Sequence, residues 1–165
     1  MTTIEDTPRN FPLSAGVLLG LGLGGFFDGI VLHQILQWHH MVTEPYPATT
    51  LENKELNVMF DGLFHAATYV FTAIGLWRLW RVVTKDQSPL SGHVLIGAKL
   101  MGWGIFNLAE GIVDHHILQI HHVRTGPDAA LWDIGFLIWG AAMLIGGWWL
   151  IRSQAEWPVR LTVQR

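Results

Sequence analysis

The sequence predicts an all-α fold: a transmembrane four-helix bundle made of two parallel-repeat helix hairpins, with the N and C termini cytoplasmic. Three observations predict it. Half of the 165 residues are hydrophobic and only 14% are charged, far from the balance of soluble domains. Four stretches are long and apolar enough to cross a hydrocarbon core about 30 Å thick, which takes about 20 helical residues. A polar motif near the end of the first stretch returns near the end of the third.

The first span is expected from about Phe11 to Trp38, the second from Asp61 to Trp80, the third from Val94 to Ile120 and the fourth from Asp133 to Ile151. The first is too long in its apolar part for a cleaved signal peptide, so it is expected to stay. Its Gly16, Gly20 and Gly24 form a small-residue ridge suited to close helix packing. Breaker residues fill the linkers, with Pro45 and Pro47 in the first, Ser88 and Pro89 in the second, and Gly126 and Pro127 in the third. The whole chain, 1–165, reads as one membrane domain with repeat 1 at about 11–81 and repeat 2 at about 94–152.

Charge sets the orientation. Arg9, Arg78, Arg81, Lys85, Lys99, Arg152, Arg160 and Arg165 fall on one side of a four-span arrangement, and Lys54 and Arg124 on the other. Because Lys and Arg are retained on the cytoplasmic side, both termini are expected inside and the first and third loops outside. A prokaryotic cytoplasmic (inner) membrane is the expected location.

Shifted by 82 positions, the run from Asp28 to His40 aligns with the run from Glu110 to His122, and nine of the thirteen positions are identical. A weaker match sets Phe60-Asp61 on Trp132-Asp133, so the repeating unit is a helix pair. The first and third spans cross in the same direction, which makes these parallel repeats about an axis along the membrane normal.

The conserved spacing between the copies carries the chemistry. His33, His39, His40, His115, His121 and His122 gather at the outer ends of the first and third spans, with His116 in the second copy and His65 on the second span. Asp61 and Asp133 start the returning helices at that level, while Asp28 and Glu110 lie about 7.5 Å deeper at 1.5 Å per residue. On an α-helix His33 and His40 share a face but stand about 10.5 Å apart, too far for one ion that holds nitrogen at about 2.0–2.1 Å. Ligands must therefore converge from several helices, or the helix must unwind, or more than one ion is held. Asp61 with His65, and Glu110 with Asp114, have the i, i+4 spacing of a chelating pair.

The expected site is multinuclear, with His33, His40, His65, His115, His116 and His122 as ligands and Asp61 and Asp133 as ligands or partners that orient imidazoles. Asp28 and Glu110 are costly in lipid, about 2.5–3.5 kcal/mol each on the lenient scale, and are expected to compensate metal charge or relay protons. His39 and His121 are divided evenly between site and interface, and His93 is interfacial.

A duplicated D/E-G-I-V followed by I-L-Q-x-H-H in a four-span chain resembles a family of small prokaryotic membrane proteins of unknown function, over about Phe11 to Ile151. The resemblance implies a neighbourhood of respiratory oxidase assembly proteins, and with it copper.

Without cysteine, thiolate zinc, iron–sulfur and disulfide chemistry are excluded. Imidazole suits transition metal ions such as copper, zinc and iron; Met41 and Met59 lean to copper, the carboxylates to iron or zinc. The function read from the sequence is a membrane metal-binding protein, with metal-dependent oxidoreductase chemistry or copper handling for a respiratory oxidase. Haem/quinone electron transfer and metal or proton transport are the alternatives. The expected partners are the lipid bilayer, an oxidase or its assembly factors and a second copy of the chain, with no nucleic acid. Changing His33 and His115 together to Ala should lower the metal content of the purified protein, measured by elemental analysis; unchanged content would reject this ligand assignment.

Overall fold

A computed structural model describes residues 13–85 and 91–155. Both termini, with Arg9, Arg160 and Arg165, and the breakers Ser88 and Pro89, lie outside the described residues. Within them the chain is helical: α1 (Leu13–Phe27), α2 (Leu51–Thr84), α3 (Gly92–Glu110) and α4 (Ala129–Ala155). Three segments, Leu13–Ile35, Leu51–Thr84 and Ala129–Ser153, are long and apolar enough to cross a membrane. Segment 92–117 is comparably long but carries Lys99, Asn107, Glu110 and Asp114.

The helices pack as an open row. Among the described residues α2 packs on α1, α1 on α3 and α3 on α4, and no other pair of these helices comes close. The outer helices keep large apolar side chains exposed, Leu63, Val70 and Ile74 on α2 and Ile134, Ile138 and Ile145 on α4, as surfaces facing lipid tails would. The compact bundle expected from sequence is thus opened out. Lipid is as apolar as these side chains, so nothing drives α2 and α4 together.

Small residues set the inner contact. A Cβ on Gly20 would strike the Lys99 carbonyl and Gly102, and one on Gly102 would strike the Val17 carbonyl and Gly20. A Cβ on Gly16 would strike that of Ala98. The facing residues, 16 with 98 and 20 with 102, are each 82 positions apart. Gly97 and Gly147 give α3 and α4 the same close approach.

Three expectations shift. First, α2 starts at Leu51, ten residues before Asp61. The Thr50 hydroxyl caps it by accepting from the Asn53 N–H at 3.2 Å, and Glu52 lies in the first turn, where a negative charge meets the helix dipole. Second, the α-helices of the first and third spans stop early. Asp28–Ile35 and Gly111–Ile117 are π-helical, so neither α-helix reaches Trp38 or Ile120. Third, Gln37 and Gln119 adopt φ of 50° and 49°, the left-handed region that turns a chain sharply. The chain bends back there, Gln37 is exposed, and the single face shared by His33, Gln37 and His40 does not form.

Gly102→Leu would overpack the α1–α3 contact and should cost on the order of 1–3 kcal/mol, whereas Gly146→Ala, with no atom within 4 Å of the added carbon, should be neutral or stabilise by up to about 1 kcal/mol. Thermal unfolding in detergent checks both; equal midpoints would refute the close-packed axis.

Candidate metal centre

The π-helical turns build the site. In an α-helix, residues five apart point about 140° away from each other, but a π-helix bonds i to i+5 and brings them to one face. Asp28 and His33 are five apart, as are Glu110 and His115. As a result His33 Nε2 lies 2.9 Å from Asp28 Oδ2, both buried. The sharp turn that follows swings the next two histidines of each copy back over the helix end.

His39 and His121 meet on the central axis of the row. Their rings stack with centroids 4.6 Å apart and planes 4° from parallel. Each is anchored in the opposite half: His39 Nδ1–H donates to the Val123 carbonyl at 2.8 Å, and His121 Nδ1–H to the Met41 carbonyl at 3.0 Å. Positions 41 and 123 are again 82 apart. Since a carbonyl only accepts, each ring carries its proton on Nδ1 and turns an unprotonated Nε2 inward. Burial, reinforced by neighbouring imidazoles, holds His39 down at about 4 and His121 at about 2, so both are neutral at physiological pH.

Around this pair stands a carboxylate layer. Asp61 accepts from His33 Nδ1–H at 2.9 Å, His40 Nδ1–H at 2.7 Å and the Met41 N–H at 2.9 Å. In the other half Asp133 accepts from His122 Nδ1–H at 2.6 Å and the Val123 N–H at 3.0 Å, and stands 3.4 Å from His115 Nδ1. Asn57, fully buried, pins the first loop to the early turns of α2, accepting from the Val42 N–H and donating to the Tyr46 carbonyl. Phe64 lies flat against His33, and Phe136 packs on His115.

Inside this layer, buried polar atoms of six residues face one another: Asp28 Oδ2, the Nε2 atoms of His33, His39, His115 and His121, His115 Nδ1 and both Glu110 oxygens, none of them in a well-formed hydrogen bond although His33 Nε2 and Asp28 Oδ2 lie 2.9 Å apart. Ligand atoms of Asp28, His33, His39 and Glu110 lie within 4.8 Å of one another, and so do those of Glu110, His115 and His121. Glu110 belongs to both groups. A buried polar atom left unpaired costs about 1–3 kcal/mol, so this many at one point are what a site for cations requires. On the loop side a cleft of about 510 Å³, lined by Gln37, Thr43, Lys54, His39 and His40, borders the cluster.

Of the residues named from sequence, the structure brings together His33, His39, His115, His121, Asp28 and Glu110, and places His40, His122, Asp61 and Asp133 directly around them. His39 and His121, divided between site and interface, sit at its centre. His65 stands apart, its Nε2 buried and unpartnered against Gly29 and its ring beside Phe26 and Phe64. It does not pair with Asp61, whose oxygens are taken by His33 and His40. His116 is exposed and turned to the Gly111 carbonyl. Asp114 is half-buried and belongs to neither group. Asn57 carries no motif and lies in polar helical turns before the apolar run; the sequence signals for those turns are the Thr50 cap and Glu52.

Fold and site together define a helical membrane protein whose buried histidines and carboxylates can hold metal ions. The chain belongs to the family described as predicted membrane protein (DUF2243), whose pattern matches residues 15–154. No curated protein and no solved structure matches it.

Asp61→Asn leaves buried donors without an anionic acceptor and should cost on the order of 2–4 kcal/mol, while exposed Asp128→Asn should stay within about 0.5 kcal/mol. Thermal unfolding compares them; a neutral Asp61→Asn would contradict the structural role given to this carboxylate.

Proposed function

We propose that this protein is a single-domain, four-span protein of the prokaryotic inner membrane, with both termini cytoplasmic, that holds a pair of transition-metal ions beneath its outer face for redox chemistry. The observation that carries this is the convergence of unpartnered Nε2 and carboxylate atoms on one buried point, with Glu110 common to two groups. The distribution of Arg and Lys supports the orientation. The matched residues of the two halves, 82 positions apart in the helix contact and in the crossed hydrogen bonds of His39 and His121, support two related hairpins around one axis.

Each half contributes two histidines and one carboxylate: His33, His39 and Asp28 in the first, His115, His121 and Glu110 in the second. Two histidines and a carboxylate with open positions is the donor set of non-haem iron oxygenases, so iron is favoured over copper. Copper handling for a respiratory oxidase rests on the family resemblance and on methionine sulfur, yet the converging donors are nitrogen and oxygen. Iron bound here supplies one-electron and dioxygen chemistry.

The residues have distinct tasks. Asp61 fixes the tautomer of His33 and the two backbone carbonyls those of His39 and His121, turning their Nε2 atoms inward, the usual arrangement around a metal-binding imidazole, and Asp133 stands beside His115. Glu110, shared between the groups, bridges them and offsets charge that hydrocarbon would penalise.

Elemental analysis after purification should find two ions per chain. Asp28→Asn should lose one and Glu110→Gln both, while His40→Ala should weaken affinity about 10- to 100-fold as a supporting partner. No retained metal after exposure of the wild type to Fe(II), Mn(II), Zn(II) and Cu(II) would reject the proposal, and equal losses in the Asp28 and Glu110 variants would reject the shared carboxylate.

A further inference from the structure

One cavity lies outside the donor cluster and reaches it from the lipid side. It has a volume of about 350 Å³ and sits over α3 between α1 and α4, bounded by Gly24, Phe27, Trp103, Phe136 and Trp139 and closed toward the loops by Trp38 and Trp132. Its size falls at the lower end of small-molecule sites, roughly 300–1,000 Å³. Four of its twelve lining residues are tryptophans and two are phenylalanines. Trp38 and Trp132 pack with ring centroids 5.0 Å apart, and the Arg124 guanidinium lies over both, 5.4 and 5.7 Å from their centroids.

Only two lining residues carry a polar side chain apart from the indoles, Asp28 and Asn107, and both are 2% exposed. Asp28 also belongs to the donor cluster, so its carboxylate forms the wall between cavity and cluster. An apolar chamber with one buried hydrogen-bonding end is built for an amphipathic guest that arrives through the bilayer.

The cavity exists because the two halves differ. Position 24 corresponds to position 106 at the offset of 82, and where the first half has Gly24 the second has Phe106. Phe106 packs on Phe64 at 6.0 Å and fills the equivalent space. Likewise Asn107 corresponds to Gly25, Trp139 to Ala67 at the offset of 72 that relates Asp133 to Asp61, and Trp38 to Ile120. The histidines and carboxylates of the cluster are alike in both halves, while Gly24, Asn107, Trp139 and Trp38, which open and line this cavity, have no like counterpart.

The geometry points to a binding site for a planar, lipid-soluble ring compound bearing hydroxyl or carbonyl oxygens, the quinol and quinone class. Aromatic walls favour a flat ring, since stacked and edge-on ring pairs gain about 0.5–1.5 kcal/mol beyond burial. The Asp28 carboxylate accepts from a ring hydroxyl, and the Asn107 amide donates to a carbonyl or accepts from a hydroxyl. The inference deepens the metal proposal and rests on it for what the bound ring meets beyond Asp28, while the binding itself needs only the cavity.

The test is duroquinone titrated into the protein in nanodiscs, read by quenching of tryptophan fluorescence, with metal content measured on the same samples. Wild type should quench saturably. Trp139→Leu, at a lipid-exposed position, should bind about threefold to tenfold more weakly, the loss of one ring contact, and Gly24→Phe should bind at least tenfold more weakly by copying the plugged half. Quenching that never saturates, or is identical in wild type and Trp139→Leu, overturns the inference, as does phospholipid co-purifying in the cavity and undisplaced by duroquinone. A failed metal proposal would leave saturable quenching with no metal, whereas a failed cavity proposal would leave metal with no saturable quenching.

Discussion

The structure depends on one constraint: ionisable groups placed at membrane depth must be satisfied by the protein itself. Four carboxylates and six imidazoles are gathered within a few ångströms, and the outer part of the group is solved internally. Asp61 and Asp133 each accept from imidazole and backbone donors, and the central pair donate to carbonyls of the opposite half. The inner ring of atoms is left without such partners, while the outward nitrogens of His33, His39 and His121 are held by hydrogen bonds that fix the inward ones. The helix row, the early start of α2 and the sharp turns at Gln37 and Gln119 all serve to hold that arrangement.

Much of this was legible in the sequence, and the failures have physical causes. Helical class and the residues of the cluster could be read because apolar length and the duplicated motif are independent of detailed geometry. The division of labour among the histidines could not. It was derived from 100° per residue, and the π-helical segments break that rule at the one place where angles matter. A five-residue spacing, Asp28 to His33 and Glu110 to His115, then replaces the four-residue chelates expected of Asp61 with His65 and Glu110 with Asp114. The N-terminal turns of α2 were hidden for another reason: they are polar helix, invisible to a reading that looks for membrane-length apolar runs. Asn57 was lost with them.

Symmetry and its breaking separate two kinds of residue. Positions that face the axis, Gly20 and Gly102, His39 and His121, keep their type or size across the halves. Positions on the flanks do not: His65 corresponds to Leu137, each set against a glycine, Gly29 or Gly111, at the start of its π-helical segment. The two halves are alike where the axis contact and the crossed hydrogen bonds constrain them and differ where these contacts leave room.

The crossed anchoring of His39 and His121 also bears on how the protein is made. Neither hairpin holds its own central imidazole in place, because the carbonyl that fixes it belongs to the other. A half on its own lacks the acceptor for that ring, which has no fixed orientation until the other half packs against it. The ordered arrangement of the two central rings therefore arises only when the halves dock, and belongs to the assembled chain rather than to either pair of helices.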